Sequence, residues 1–76
     1  MQRIPVESHS LKTLGYDPER RILEVEFRRN GQIYKYFDVP AEEYEAFLRA
    51  ESKGTYLNQQ FKARGYCCVQ VERRQP

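Results

Sequence analysis

The sequence is poor in residues that build metal sites and nucleophiles: its 76 residues include one histidine, His9, and two cysteines, Cys67 and Cys68. Adjacent cysteines cannot join distant segments, and on a strand their side chains point to opposite faces and cannot share a metal ion. We therefore expect free thiols, no disulfide and no metal site. His9 stands between Ser8 and Ser10 with no residue to orient its ring, so no catalytic residue is assigned and no enzyme activity is expected.

Long apolar runs and a strong net charge are also missing. No stretch has the length of apolar sequence needed to cross a bilayer, and residues 1–5 lack the apolar centre of a signal peptide, which predicts a cytoplasmic protein with no membrane partner. The net charge of +2 permits nucleic-acid binding without demanding it. The four glycines are isolated, so there is no phosphate-binding loop, and no cofactor is expected.

The residues that are present suit a small folded domain. Apolar residues make up 39% and aromatic residues 13% of the chain, far from the composition of a disordered protein. A chain of this length holds one hydrophobic core. We predict a single domain over residues 1–76, with its folded part at about 6–72 and a frayed tail at 73–76, and we expect a monomer.

Alternating apolar and polar residues predict strands at about 21–28 and 66–72. The turn signal Asp17-Pro18 predicts that residues 11–16 pair back on 21–28, and a further strand follows the Asn30-Gly31 pair. A two-residue turn at that pair places Phe27 opposite Tyr34 and Glu26 opposite Lys35, the latter as an ion pair. In this register one face of the sheet carries most of the apolar side chains. Its members are Leu14, Leu23, Val25, Phe27, Tyr34 and Tyr36.

Two helices are predicted after the sheet strands. The first begins after Pro40, and its inward residues at helical spacing are Ala41, Tyr44, Phe47 and Leu48. The second is shorter, is capped by Thr55, turns Leu57 and Phe61 inward and ends near Arg64-Gly65. The predicted fold class is α+β: an antiparallel β-meander of three strands plus a C-terminal strand, with two short helices packed on one face. We expect the C-terminal strand to lie at an edge of the sheet.

Aromatic and basic residues interleave in the sheet and near the carboxyl end, a pattern that suits binding of RNA, including tRNA. The candidate nucleic-acid-binding residues are Arg28, Arg29, Lys35, Lys62 and Arg64. The alternative for Tyr34 and Tyr36 is a place in the core, which the register favours. The alternative for the function is a protein-interaction module that uses an exposed sheet face, with Ile33 and Phe37 flanking Lys35.

Several short strings occur in an order and spacing that resemble the KTSC family. They are Leu14-Gly15-Tyr16-Asp17, the alternating strand Leu23-x-Val25-x-Phe27, Gly31-x-x-Tyr34-x-Tyr36, Val39-Pro40 and Ala50-x-Ser52-x-Gly54-x-Tyr56-Leu57-Asn58. The resemblance spans about residues 6–66. It departs from the family pattern where a pair of serines is expected near the start, because here Ser8 is followed by His9.

The resemblance implies a small α+β domain found in bacterial and phage proteins and at the carboxyl end of some lysyl-tRNA synthetases. The biochemical function of such domains is not established, and the synthetase context suggests contact with RNA by analogy. Carried to this sequence, the family motif singles out Tyr34 and Tyr36, and a second cluster of Ser52, Gly54 and Asn58.

Overall fold

The computed structural model describes residues 3–6 and 9–71, and the predicted tail at 73–76 lies outside them. The described residues form five strands, and two helical segments lie in the chain between the fourth and fifth strands. The strands are β1 (Arg3–Pro5), β2 (Leu11–Asp17), β3 (Ile22–Phe27), β4 (Ile33–Tyr36) and β5 (Cys68–Val71). The helical parts are α1 (Ala41–Arg49), α2 (Lys53–Tyr56), a π-helical turn (Leu57–Phe61) and α3 (Lys62–Arg64).

The strands form one antiparallel sheet in the order β1-β2-β3-β4-β5, which confirms the α+β class. The predicted count of three strands plus one is wrong, because β1 adds a strand beside β2, with Ile4 opposite Leu14. This strand has three residues and includes Pro5, which has no N–H to donate and is tolerated at the edge of a sheet. So short a strand leaves no alternating pattern to detect.

The register between β3 and β4 differs from the prediction by two residues. Val25, and not Phe27, lies opposite Tyr34. The connection is longer than a two-residue turn: the N–H of Phe27 donates to the Gln32 carbonyl at 2.8 Å, and the Asn30 side chain accepts from the Gln32 N–H at 3.1 Å. A shift of two residues keeps every side chain on its predicted face, whereas a shift of one would have reversed them all.

The shift changes the partners on the outer face of the sheet. Lys35 lies opposite Glu24, and their charged groups are 3.9 Å apart, so the predicted ion pair between Lys35 and Glu26 is wrong. Glu26 instead lies opposite Ile33 and accepts a hydrogen bond from the Thr13 hydroxyl at 3.0 Å. Ile33 and Glu26 are each only 7% exposed.

The core lies between the inner face of the sheet and the helical segments. Tyr34 and Tyr36 are half-buried on this face and pack against the core, as the register argument predicted. The Tyr36 ring meets Phe61 edge to face, with ring centroids 5.2 Å apart. The buried members of the core are Leu11, Leu14, Leu23, Val25, Val39, Phe47, Leu57 and Phe61.

Helix α1 uses a slightly different face from the one predicted. Phe47 is fully buried and Tyr44 is half-buried, but Ala41 and Leu48 are exposed. Glu43 takes a buried position instead, four residues before Phe47 on the same face. The prediction ranked side chains by apolarity, and so it could not assign a carboxylate to the interior.

The second helical segment runs without a break from α2 through the π-helical turn to α3. Ser52 is its N-cap, because the Ser52 hydroxyl oxygen accepts a hydrogen bond from the Thr55 N–H at 3.3 Å. The predicted cap at Thr55 is therefore wrong by three residues. The segment ends at Gly65, whose left-handed backbone (φ 73°) terminates the helix close to the predicted position.

Candidate functional site

A groove follows the boundary between the second helical segment and the sheet. It consists of three adjoining depressions of about 360, 310 and 210 Å³, and Asn58 lines all three. We call it the Asn58 groove. Phe27 and Arg29 are shared by the two larger depressions, and Tyr36 and Cys68 by the largest and the smallest. The shared residues make the three depressions one continuous surface.

Asn58 is exposed and lies in the π-helical turn Leu57–Phe61. A π-helical turn is rare and is frequently found at functional sites. Here it begins and ends with Leu57 and Phe61, both buried in the core. The core therefore anchors the turn at both ends, and Asn58, whose amide group has two donor hydrogens and an acceptor oxygen, lines the groove.

Aromatic side chains form the wall of the groove that belongs to the sheet. The rings of Phe27 and Tyr34 meet edge to face, with centroids 5.4 Å apart, and the Tyr34 hydroxyl donates to the Gln32 side-chain oxygen at 3.3 Å. Burial raises the pKa of Tyr36, so its hydroxyl stays protonated at neutral pH. The wall offers neutral rings and a hydroxyl held in fixed positions.

Two of the five candidate cations reach the groove. Arg29, in the connection between β3 and β4, lines the two larger depressions. Lys62, the first residue of α3, lines the smallest one. Both residues are exposed. Arg29 and Lys62 line different depressions, and Asn58 lines the depressions of both residues.

Arg28 and Lys35 lie elsewhere. One guanidinium nitrogen of Arg28 donates to the carbonyl oxygens of Val6 and Leu11, at 3.3 and 3.2 Å, so this side chain ties the β3 end to the neighbouring chain. Lys35 is on the outer face, paired with Glu24. The structure therefore does not assemble the five cations into one patch.

Arg64 belongs to a cluster around the buried Glu43 carboxylate, which the sequence analysis missed. The Arg64 guanidinium is 2.6 Å from one carboxylate oxygen, and the Tyr66 hydroxyl donates to the same oxygen at 3.0 Å. The Tyr56 hydroxyl donates to the other oxygen. Glu43 is thus joined to three residues from two later parts of the chain. The only sequence signal was the position of Glu43 on the same helix face as Phe47.

The cluster changes the acidity of its tyrosines. Burial, followed by the hydrogen bond to Glu43, raises the pKa of Tyr66 to about 12. The hydrogen bond to Glu43, followed by burial, raises the pKa of Tyr56. Ionising either phenol would place a second negative charge beside the carboxylate. The cluster therefore works as a set of hydrogen-bond donors that hold α1 against the end of α3.

Residues suited to metal binding or membrane insertion do not come together in the part of the chain that the structure describes. Over residues 3–6 and 9–71, no three histidine, cysteine or acidic side chains are grouped as metal ligands. Cys67 and Cys68 are free and exposed. Within the same residues, no helix has the length and apolarity required to cross a membrane.

Comparison with known proteins places the fold in a family. The KTSC domain family matches residues 7–66. The chain belongs to the KTSC family. The crystal structure of a KTSC domain protein from Yersinia pestis has a TM-score of 0.82 at 37% identity, over 93% of this chain and 97% of that one.

Two relatives resemble this KTSC domain over most of their length. An uncharacterized protein of Stutzerimonas stutzeri (strain A1501) is 50% identical over 66 residues, which are 87% of this chain and 92% of the relative. A protein of Tsukamurella paurometabola is 43% identical over 54 residues, which are 71% of this chain and 79% of the relative.

The structure brings four of the five residues singled out from the KTSC motif to the groove. Tyr34, Tyr36 and Asn58 line its largest depression, and Gly54 lines the second one. A Cβ atom on Gly54 would lie 2.3 Å from the Ser10 hydroxyl oxygen, so the helix can approach the start of β2 only with glycine there. The fifth residue is the helix cap described above.

Proposed function

We propose that this KTSC domain is a non-catalytic binding module that holds a short single-stranded segment of RNA in the Asn58 groove. The observation that carries the proposal is the convergence of Asn58 with an aromatic wall and two exposed cations in one continuous groove. Proteins that bind unpaired RNA combine these three elements: rings for base contact, amides for base edges and cations for phosphates.

Each part of the groove suits one part of a nucleotide. The Asn58 amide can donate to and accept from a base edge. The exposed parts of Phe27 and Tyr34 can contact a base face or a ribose. Arg29 and Lys62 line different depressions that both include Asn58, so a strand that crosses Asn58 can place phosphates near both cations.

The charge distribution favours a single strand over a folded duplex. Two available cations would neutralise about two phosphates, which gives a slope of about −1.4 in the logarithm of the binding constant against the logarithm of the salt concentration. Binding would then weaken about sevenfold between 50 and 200 mM salt, a modest dependence. A duplex contacted over a broad face would need more cations on that face than Arg29 and Lys62 supply.

The alternative of a protein-interaction module on the outer sheet face has less support. That face was expected to present Ile33 and Phe37 beside Lys35, but Ile33 is 7% exposed and Phe37 is half-buried. Lys35 is engaged with Glu24. Neither of the two apolar side chains expected there is therefore open to a partner over most of its surface.

The test is an NMR titration of the ¹⁵N-labelled domain with short single-stranded RNA oligonucleotides at two salt concentrations. We expect the amide shifts to concentrate at the backbone of Arg29, Asn58 and Lys62. Asn58→Ala should weaken binding several-fold, and Arg29→Ala should also reduce the salt slope by about 0.7. Shift changes that map to the outer face, or no shift at low salt, would refute the proposal.

The matched control is Lys35→Ala, which removes the same charge as Lys62→Ala but on the opposite face of the sheet. We expect Lys35→Ala to leave RNA affinity nearly unchanged. Equal losses in the two lysine variants would mean that the affinity comes from net charge and not from the groove. A double-stranded RNA of the same length, which should bind more weakly, tests the preference for a single strand.

A further inference from the structure

The outer edge of β5 is open along the part of the chain that the structure describes. β5 pairs with β4 on one side, and none of the strands within residues 3–6 and 9–71 lies on its other side. The N–H of Phe37 donates to the carbonyl of Cys67, which lies directly opposite it. Hydrogen-bonded pairs in an antiparallel ladder occur at every second residue, so the backbone groups of Cys67, Val69 and Val71 point towards β4. The backbone groups of Cys68 and Gln70 therefore point away from the sheet.

This edge is short, but it lacks the charged residues and proline that usually prevent strands of different molecules from pairing. Natural edge strands are protected by charged residues, proline or bulges. The opposite edge, β1, contains Arg3 and Pro5, whereas β5 reads Cys-Val-Gln-Val, with neither a charge nor a proline. The side chain of Val69, in the middle of β5, is 44% exposed.

We propose that β5 pairs antiparallel with β5 of a second copy of this chain, on a two-fold axis at Val69. In this register Cys68 of each copy lies opposite Gln70 of the other, and the outward backbone groups of both residues form two hydrogen bonds at each pair. A two-fold at Cys68 or at Gln70 would satisfy only one pair within β5. The Val69 register uses every outward group of Cys68 and Gln70.

The side chains agree with the same register. Val69 and Val71 lie opposite Lys35 and Ile33, so they belong to the outer face of the sheet. At the two-fold axis Val69 meets Val69 of the second copy, and Val71 lies opposite Cys67 of the second copy. Uncharged side chains thus face one another along the junction, and an exposed valine becomes covered.

The contact between the two β5 strands is small, so we expect the dimer to form only at high protein concentration. Stable protein interfaces bury at least about 1,200 Å², more than one four-residue strand pair can contribute. We therefore expect a dissociation constant between about 10 µM and 1 mM. Sedimentation equilibrium across that range of protein concentration measures it directly. A protein that stays monomeric throughout that range would overturn the proposal.

The variant that tests the axis is Val69→Lys, which places two ammonium groups opposite each other at the junction. We expect it to raise the dissociation constant at least tenfold. The matched control is Ile4→Lys, because Ile4 is an equally exposed apolar residue (46%) on the opposite edge strand. Loss of the dimer in the Ile4 variant, or its persistence in the Val69 variant, would show that another surface is used.

Cross-linking tests the register without depending on affinity. In a chain carrying Cys67→Ser and Cys68→Ser, Val69→Cys would introduce the only thiol. Directly opposed residues at a non-hydrogen-bonded position have Cα atoms about 4.5 Å apart, within the range that a disulfide spans. We expect mild oxidation to trap a dimer of this variant but not of the Ile4→Cys variant in the same background. Equal trapping of both would refute the register.

Discussion

Gly54 offers the sharpest test of the packing that forms one end of the Asn58 groove. It lies inside α2, and its backbone is not left-handed, so conformational freedom does not explain a glycine there. Space does: a Cβ atom would lie 2.3 Å from Oγ of Ser10 and 2.8 Å from its Cβ. Rotating the hydroxyl would relieve the first contact but not the second.

Two opposing effects decide the result of Gly54→Ala. In an unobstructed helix, alanine is more favourable than glycine by up to about 1 kcal/mol. Inserting a methyl group into a closed contact costs about 1 to 3 kcal/mol. The Ser10 backbone cannot retreat easily, because its carbonyl accepts a hydrogen bond from the Arg28 N–H at 2.9 Å. We therefore expect a net loss of about 1 to 2 kcal/mol in the free energy of unfolding, measured by urea denaturation.

A double-mutant cycle identifies the cause. Both obstructing atoms belong to the Ser10 side chain, so Gly54→Ala should become neutral or stabilising in a Ser10→Gly background. Gly65→Ala is the control, because the Gly65 backbone is left-handed and a Cβ atom added there would meet no atom within 4 Å. It should lower the free energy of unfolding by about 1 to 2 kcal/mol in both the wild-type and the Ser10→Gly background. If Gly54→Ala is no less stable than the wild type, or if Ser10→Gly gives no rescue, the steric explanation is wrong.

Two further predictions concern the Glu43 cluster. Glu43→Leu should lower the free energy of unfolding by about 2 to 3 kcal/mol, because it removes the acceptor of two tyrosine hydroxyls. Arg64 adds little to this loss, since its side chain is 53% exposed and can be hydrated. Glu42→Leu is the control, and equal losses in the two variants would refute the assignment. The raised pKa of Tyr66, about 12 against 10 when unfolded, keeps the proton on in the folded state, so this contribution to stability is complete below pH 10 and is lost as the pH rises towards 12. Melting temperatures between pH 8 and 12 should fall less steeply in Tyr66→Phe than in the wild type, and parallel curves would contradict the prediction.

The parts of the fold that the sequence predicted depend on repeating patterns. The period of two in β3, carried to β4 through the turn between them, identified the inner face of the sheet, and the two-residue error in the β3–β4 register left that face unchanged. The error itself came from reading Asn30-Gly31 as a complete two-residue turn. A tight turn and a longer connection containing the same pair produce the same alternation, so pattern alone could not distinguish them.

The sequence pattern could not predict the burial of a single residue whose contacts come from distant segments of the chain. Glu43 resembles an ordinary solvent-exposed acid in the first turn of a helix. It is buried because Tyr56, Arg64 and Tyr66 arrive later in the chain with three donors. Burial of a carboxylate depends on its complete set of partners, and no local pattern encodes that set.

The candidate site shows the same limit in the choice of cations. All five basic residues have the same formal charge in the sequence, but a cation is available to a ligand only if its protein partners leave it free and it lies on the correct face. Arg28 is bound to backbone carbonyls, Lys35 is paired on the opposite face and Arg64 is held by Glu43. Arg29 and Lys62 reach the groove that contains Asn58. Their selection by the fold, and not the net charge of +2, is what makes a localised binding surface physically reasonable.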